Sequence, residues 1–145
     1  MNISVFSFIL MMKRKDEYCE EISDLSGMYK HNPFYAILIA LSMFSLAGIP
    51  PLAGFFGKFY IFMSAIKSDL YLLAIIGILA SVVSAFYYLR IIKIIYFDES
   101  ADKFDEFNSN SLNILFFVST FIVILFFMYP SPIISIGSYA ASTFF

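Results

Sequence analysis

The sequence is poor in charged residues and in side chains that bind metals. Asp, Glu, Lys and Arg make up 14% of the 145 residues, whereas soluble domains usually carry about 25%. One cysteine excludes an internal disulfide or a multi-cysteine metal site, and one histidine argues against a histidine-based zinc or haem site. What is present instead is apolar. Hydrophobic residues make up 61% of the chain, which is typical of a protein that lies in lipid.

Apolar segments alternate with polar connections along the chain, which predicts an all-α integral membrane protein. We expect the end of a truncated transmembrane helix at 1–12, a polar loop at 13–32, a discontinuous transmembrane helix at 33–66, a transmembrane helix at 70–96, a polar loop at 97–111, a transmembrane helix at 112–129 and an apolar tail at 130–145. Twelve residues rise only about 18 Å, short of the roughly 30 Å hydrocarbon core. We therefore expect the first helix to begin in sequence outside this chain.

The apolar segment 33–66 is too long for one upright helix, because 34 residues would rise about 51 Å. Gly48, Pro50, Pro51 and Gly54 lie at its middle, and prolines with flanking glycines interrupt helices. The interruption is either a turn between two spans or an unwound break within one crossing. Each half is short for a full span, which favours one crossing.

The distribution of Lys and Arg separates these two interpretations. A hairpin would divide the basic residues almost evenly between the two sides. A single broken crossing leaves Lys67 alone on one side and places the following residues on the other: Lys13, Arg14, Lys15, Lys30, Arg90, Lys93 and Lys103. Because cytoplasmic loops concentrate Lys and Arg, we predict one discontinuous helix, with the basic loops facing the cytoplasm or the mitochondrial matrix.

Lys58 is the only charged residue between Pro33 and Ile66 and follows the break closely. A lysine near mid-bilayer costs about 2.5–3.5 kcal/mol on insertion scales. Desolvation disfavours the ammonium form, and the positive N-terminal end of the second half-helix acts the same way. A lysine in this position can exchange a proton, and transporters use such breaks at ion sites. The alternative is a structurally paired or snorkelling lysine.

A stripe of small or hydroxyl-bearing residues follows on the next helix. Ser81, Ser84 and Tyr88 share one helical face with Gly77. Such a stripe permits close helix packing, and the alternative is a hydrated proton path. We keep both interpretations open.

The motif SLAGIPPLAGFFGKFY, residues 45–60, resembles the broken twelfth helix of the antiporter-like subunits of respiratory complex I. The aromatic pair Phe59 and Tyr60 after Lys58 makes it most similar to the N-type subunit, called subunit 2 in mitochondria. The segment AFYYLR at 85–90, followed by Ile95 and Tyr96, also resembles the thirteenth helix of the N-type.

The resemblance implies the C-terminal part of a fourteen-helix, proton-translocating subunit that couples quinone reduction to proton pumping. Lys58 is then the proton-transfer residue, and Gly48, Pro50, Pro51, Gly54 and Gly57 form the structural break. It implies no cofactor or metal in this chain, with NADH, flavin, iron–sulfur clusters and quinone in other subunits. The implied partners are other membrane-arm subunits, the missing N-terminal part of the same subunit and the lipid bilayer, without nucleic acid. The location would be the mitochondrial inner membrane or the bacterial plasma membrane.

Two rival functions remain. A subunit of a multi-subunit cation/proton antiporter shares the fold and the motif. A structural membrane fragment without a transport role would have a replaceable Lys58.

Overall fold

A computed structural model describes residues 1–14, 17–19, 21–99, 104, 109–129 and 131–142. Its helices are α1 (Asn2–Met11), α2 (Pro33–Ala47), α3 (Ala53–Lys67), α4 (Tyr71–Phe97), α5 (Asn110–Met128) and α6 (Ser131–Ser142). Two short strands, β1 (Lys13–Arg14) and β2 (Glu17–Tyr18), pair antiparallel. The protein is therefore predominantly helical, as predicted, with a small hairpin in the first loop.

The first polar connection is more structured than a simple loop. After the hairpin, two 3₁₀ turns span Ile22–Leu25 and Met28–Lys30. The Gly27 N–H donates to the Ile94 carbonyl at 3.0 Å, and the Tyr29 ring stacks on Tyr96 with a centroid separation of 4.8 Å. This connection thus lies beside the C-terminal end of α4, at the end of the bundle where the connection from α4 to α5 begins. Residues 100–103 and 105–108 of the second connection lie outside the described residues.

Helices α1, α2 and α5 pack together through aromatic rings and buried hydroxyls. Phe8, Tyr35 and Phe116 meet at ring-centroid distances of 5.6–6.4 Å, and Phe8 and Phe116 are buried. Three buried hydroxyls lie deeper along the same interface. The Ser4 hydroxyl contacts those of Ser42 at 2.9 Å and Thr120 at 2.6 Å. In an apolar medium such hydrogen bonds hold helices together where hydrophobic association is weak.

Helix α4 lies along α3 and then along α2. In the N-terminal half of α4, Gly77 faces Phe62 of α3. Farther along, Ile91 lines a cavity with Ile39 and Met43 of α2. As the residue numbers rise along α4, those of its partners fall, first in α3 and then in α2. Helices α3 and α2 therefore follow one another along the length of α4.

Helix α5 gives the same order from the opposite face. Near the start of α5, Asn113 accepts a hydrogen bond from the Tyr35 hydroxyl of α2 at 3.0 Å. In the middle, the Ser4 hydroxyl contacts both Thr120 of α5 and Ser42 of α2. Near the end, the Phe126 ring packs on Phe56 of α3 with a centroid separation of 5.6 Å. The two half-helices are thus aligned end to end beside α5 as well as beside α4.

Some boundaries differ from the sequence predictions. Helix α4 begins and ends one residue later than 70–96, and α5 begins at Asn110 rather than at 112. The predicted apolar tail contains helix α6, which begins at Ser131 and Pro132, and proline is common in the first turn of a helix. Pro130 and residues 143–145 of that predicted tail lie outside the described residues. Among the described helices, α4 alone is long and apolar enough by itself to cross a membrane.

Candidate functional site

The first half-helix ends at a glycine with left-handed backbone geometry. Gly48 has φ +85°, a conformation that favours residues without a side chain. Its N–H donates to the carbonyls of Phe44 and Ser45, and the N–H of Ile49 also donates to Phe44. This is the usual glycine termination of a helix. Residues 48–52 lie outside both helices, so the chain is interrupted at the Gly/Pro motif.

The second half-helix begins against the end of the first. The Gly54 N–H donates to the buried Ser45 hydroxyl at 3.2 Å, which satisfies one of the free amides at the start of α3. A Cβ on Gly54 would collide with the Ser45 carbonyl oxygen. The two half-helices therefore approach each other at backbone distance, and only glycine fits at this contact.

Lys58 closes the same junction from the other side. Its Nζ donates to the carbonyl oxygens of Leu46 at 3.1 Å and Ala47 at 3.0 Å. A helix leaves its last four carbonyls without intrahelical partners. In α2, the amides of Gly48 and Ile49 satisfy the first two of these carbonyls, and the Lys58 ammonium satisfies the last two.

This geometry corrects the expected electrostatics of Lys58. The sequence led us to expect the positive end of α3 to act against its charge. Instead, Nζ lies at the C-terminal end of α2, where partial negative charge favours a cation. The ammonium can reach this position because the backbone break lets the lysine side chain fold back over Gly48, whose missing Cβ would lie 3.0 Å from Lys58 Cδ.

A cavity of about 270 Å³ lies between Lys58 and α4. Its lining consists of Ala47, Gly48, Phe55, Lys58, Phe59, Phe62, Ile78, Ser81, Val82 and Ala85. Apart from Lys58, the only polar side chain among these residues is Ser81. The cavity therefore combines apolar walls with one ammonium and one hydroxyl, a lining in which a few polar groups fix the position of a small guest.

The residues of the predicted stripe on α4 do not share one environment. Ser81 lines the Lys58 cavity, whereas Ser84 is exposed and its hydroxyl donates to the Ala80 carbonyl of its own helix at 3.0 Å. Tyr88 packs against the buried core, and Gly77 packs against Phe62. The structure therefore brings Ser81 to Lys58 and leaves Ser84 and Tyr88 apart from it.

The residues of the predicted break also differ in their surroundings. Gly48 and Gly54 make the close approaches described above. Nothing in the described residues lies within 4 Å of a Cβ placed on Gly57. Pro50 and Pro51 are exposed in the part of the chain that the structure describes. Shielding of these two prolines would have to come from atoms outside the described residues.

Sequence reasoning missed the part played by buried hydroxyls. Ser45 connects the two half-helices, while Ser4, Ser42 and Thr120 connect three helices. A signal was present, since Ser42 and Ser45 lie three residues apart in an otherwise apolar segment. Hydroxyls at that spacing indicate a shared polar face on a helix.

The family comparison decides the assignment. Residues 1–84 match the family described as NADH:quinone oxidoreductase/Mrp antiporter, TM. The chain belongs to this family. It is accordingly an integral membrane protein, and the exposed apolar surface of α4 is in keeping with a lipid or protein surround.

Individual relatives carry one name. The chain is 54% identical over 134 residues to NADH-quinone oxidoreductase subunit N of Parvibaculum lavamentivorans, covering 92% of this chain and 28% of that protein. It is 47% identical to the subunit N of Paramagnetospirillum magneticum over 145 residues, which cover all of this chain and 30% of that protein. The Pelagibacter ubique subunit N is 48% identical over 138 residues. The chain thus spans about 30% of the length of these relatives.

A solved structure shows the same fold. A chain of respiratory complex I from Thermus thermophilus with bound aureothin superposes with a TM-score of 0.72 at 22% sequence identity. The match covers 89% of this chain and 30% of that one. The overall fold of this chain is therefore shared with a chain of that complex.

Proposed function

We propose that this chain is part of a proton-translocating membrane-arm subunit of NADH:quinone oxidoreductase, and that Lys58 carries the proton. The observation that supports the proposal most directly is the position of the Lys58 ammonium on the two free carbonyls at the helix break. Those carbonyls offset part of the cost of a charge inside a bilayer, and within the described residues Lys58 forms no ion pair with a carboxylate. In this proposal the two carbonyls hold the Lys58 ammonium at the break, where it receives and passes on the proton.

In this proposal α2 and α3 form one discontinuous transmembrane crossing. Each half has 15 residues and rises about 22 Å, which is short of the roughly 30 Å core. Their end-to-end alignment beside both α4 and α5 supports a single crossing. Unwound backbone in a membrane is tolerated where it is buried in protein or lines a cavity, and here Gly48 of the unwound segment lines the Lys58 cavity.

The remaining parts of the proposal concern the whole subunit. We expect fourteen helices in it, of which this chain supplies the C-terminal group, and further charged stations on the earlier helices. Its partners would be that N-terminal part, the other membrane-arm subunits and the bilayer. This chain would hold no redox cofactor, and NADH, flavin, iron–sulfur clusters and quinone would bind in other subunits. The location would be a bacterial plasma membrane or the mitochondrial inner membrane.

One rival follows from the family itself, since its description also covers Mrp antiporters. A cation/proton antiporter subunit would purify without redox-active partners. The subunit N name carried by the relatives favours the complex I assignment.

The test is Lys58→Met in the assembled complex. Methionine keeps an unbranched apolar stem and cannot carry a proton, so proton transfer through this subunit should slow by about 10²-fold or more. Proton translocation per NADH oxidised is measured in membrane vesicles with a pH-sensitive dye, and assembly is checked on a native gel.

Lys58→Arg is the matched variant, because arginine retains the charge and the carbonyl hydrogen bonds but does not release its proton. It should assemble normally and pump as poorly as Lys58→Met. Wild-type pumping by both assembled variants would leave Lys58 a purely structural residue and would overturn the proposal.

A further inference from the structure

The hydrogen bonds of the Lys58 ammonium restrict which of its protons can be transferred. An ammonium group carries three N–H donors. Two of them point at the carbonyls of Leu46 and Ala47, and the third finds no acceptor within the described part of the chain. A peptide carbonyl accepts a hydrogen bond but is far too weak a base to take up the proton. The two capped protons therefore stay on the nitrogen, and exchange is left to the third.

The third proton lies on a nitrogen that borders the α3–α4 cavity. Lys58 lines the cavity between α3 and α4, and the walls of that cavity are aromatic or aliphatic except at Ser81. The space is open rather than enclosed, and its volume of about 270 Å³ exceeds what one water needs. Lys58 and the Ser81 hydroxyl supply two polar partners for a water between them.

We propose that Lys58 exchanges its proton through the α3–α4 cavity and that the Ser81 hydroxyl is the relay residue there. In the releasing step an N–H bond of Lys58 breaks and its electron pair stays on Nζ. An O–H bond forms on a cavity water, which breaks another of its O–H bonds and passes that proton to the Ser81 oxygen. The original O–H bond of Ser81 breaks at the same time, and its proton goes to a second water of the cavity. The neutral amine keeps two N–H donors, so the carbonyls of Leu46 and Ala47 remain capped throughout.

This inference rests on the proposed function of Lys58 and adds the route. Its first test compares two serines of the same helix in the assembled complex. Ser81→Ala removes the hydroxyl from the cavity, whereas Ser84→Ala removes an exposed hydroxyl that bonds only within its own helix. Loss of one hydrogen-bonding relay group should slow pumping about three- to tenfold in Ser81→Ala. Ser84→Ala should pump like the wild type.

Two further variants separate the relay from simple packing. Ser81→Thr restores a hydroxyl at the same position and should recover most of the pumping lost in Ser81→Ala. Ala85→Leu fills the cavity from the same helix while Lys58 and Ser81 themselves stay unchanged, and it should impair pumping, whereas Ala80→Leu, on the exposed face, should not. A native gel confirms assembly of each variant before its pumping is compared.

The outcomes distinguish the two proposals. If Lys58→Met fails to pump while Ser81→Ala and Ala85→Leu both pump normally, the route is wrong and the proton station stands. If Lys58→Met pumps normally, the proposed function itself has failed. Failure of Ser81→Thr to rescue an impaired Ser81→Ala would also overturn the relay, because a hydroxyl would then be insufficient.

Discussion

The two half-helices at the break, α2 and α3, have the same length but differ in how much of each is buried. Helix α2 buries seven of its fifteen residues against α1, α4 and α5, whereas the buried set of α3 consists of Gly54 alone. Hydroxyl and aromatic contacts fix α2 in the bundle. Helix α3 is joined to α2 by the Gly54 amide and the Lys58 ammonium, both at its N-terminal end. The half that carries the titratable group is thus the half with fewer contacts, and its attachment includes that group.

This contrast predicts that backbone contact between the halves matters more than any single side chain. Gly54→Ala should have the largest effect, because the new Cβ would collide with the Ser45 carbonyl oxygen, which is backbone and cannot rotate away. We expect a loss of at least about 1–3 kcal/mol of stability, seen as strongly reduced amounts of assembled complex on a native gel.

Gly57→Ala is the control for that experiment. It makes the same chemical change three residues later, in α3, where a Cβ meets no described atom. Because alanine favours a helix over glycine by about 0.8–1 kcal/mol, this variant should assemble at least as well as the wild type. Equal assembly of Gly54→Ala and Gly57→Ala would show that the halves are not in backbone contact.

Gly48→Ala should have an intermediate effect, and it should reduce pumping more than it reduces assembly. The new Cβ would lie 3.0 Å from Cδ and 3.2 Å from Nζ of Lys58, and the left-handed backbone would cost about 1–2 kcal/mol. A flexible lysine can move aside, so the complex should form, but its ammonium would leave the carbonyls of Leu46 and Ala47. Dye-monitored pumping per NADH should fall, and normal pumping in Gly48→Ala would show that the capped position is not needed.

Thr120→Val should have the smallest effect and should weaken only the hydroxyl contacts that hold α2 in the bundle. It retains the shape of the side chain but removes the hydroxyl that contacts Ser4. Hydrogen bonds between membrane helices contribute about 0.6 kcal/mol on average and up to roughly 1.7, so the melting temperature should drop slightly while pumping stays unchanged.

Ser119→Ala provides the comparison on the same helix, because the Ser119 hydroxyl bonds to carbonyls of its own helix. Its melting temperature should match that of the wild type. A pumping defect in Thr120→Val would contradict the separation of the two halves, since it would connect the buried hydroxyls to proton transfer.

Much of this architecture could be predicted from the order of residues. Apolar runs of membrane length predict helices regardless of their neighbours, and the pair Pro50 and Pro51 between Gly48 and Gly54 cannot continue one. A lone charge in an apolar segment had to find polar partners, so Lys58 could be chosen as the candidate site before any contact was known.

Other features depended on which helices meet. The partners of Lys58 are backbone carbonyls, which every residue possesses, so no side-chain pattern could point to Leu46 and Ala47. The division of Ser81 from Ser84 depended on how α4 is rotated against α3, because residues three apart differ by only about 60° around a helix. The sequence by itself therefore determined where the helix breaks and which residue carries the charge. The tertiary structure alone decided that the charge caps the first half-helix, because hydrogen bonds to backbone atoms are set by proximity rather than by residue type.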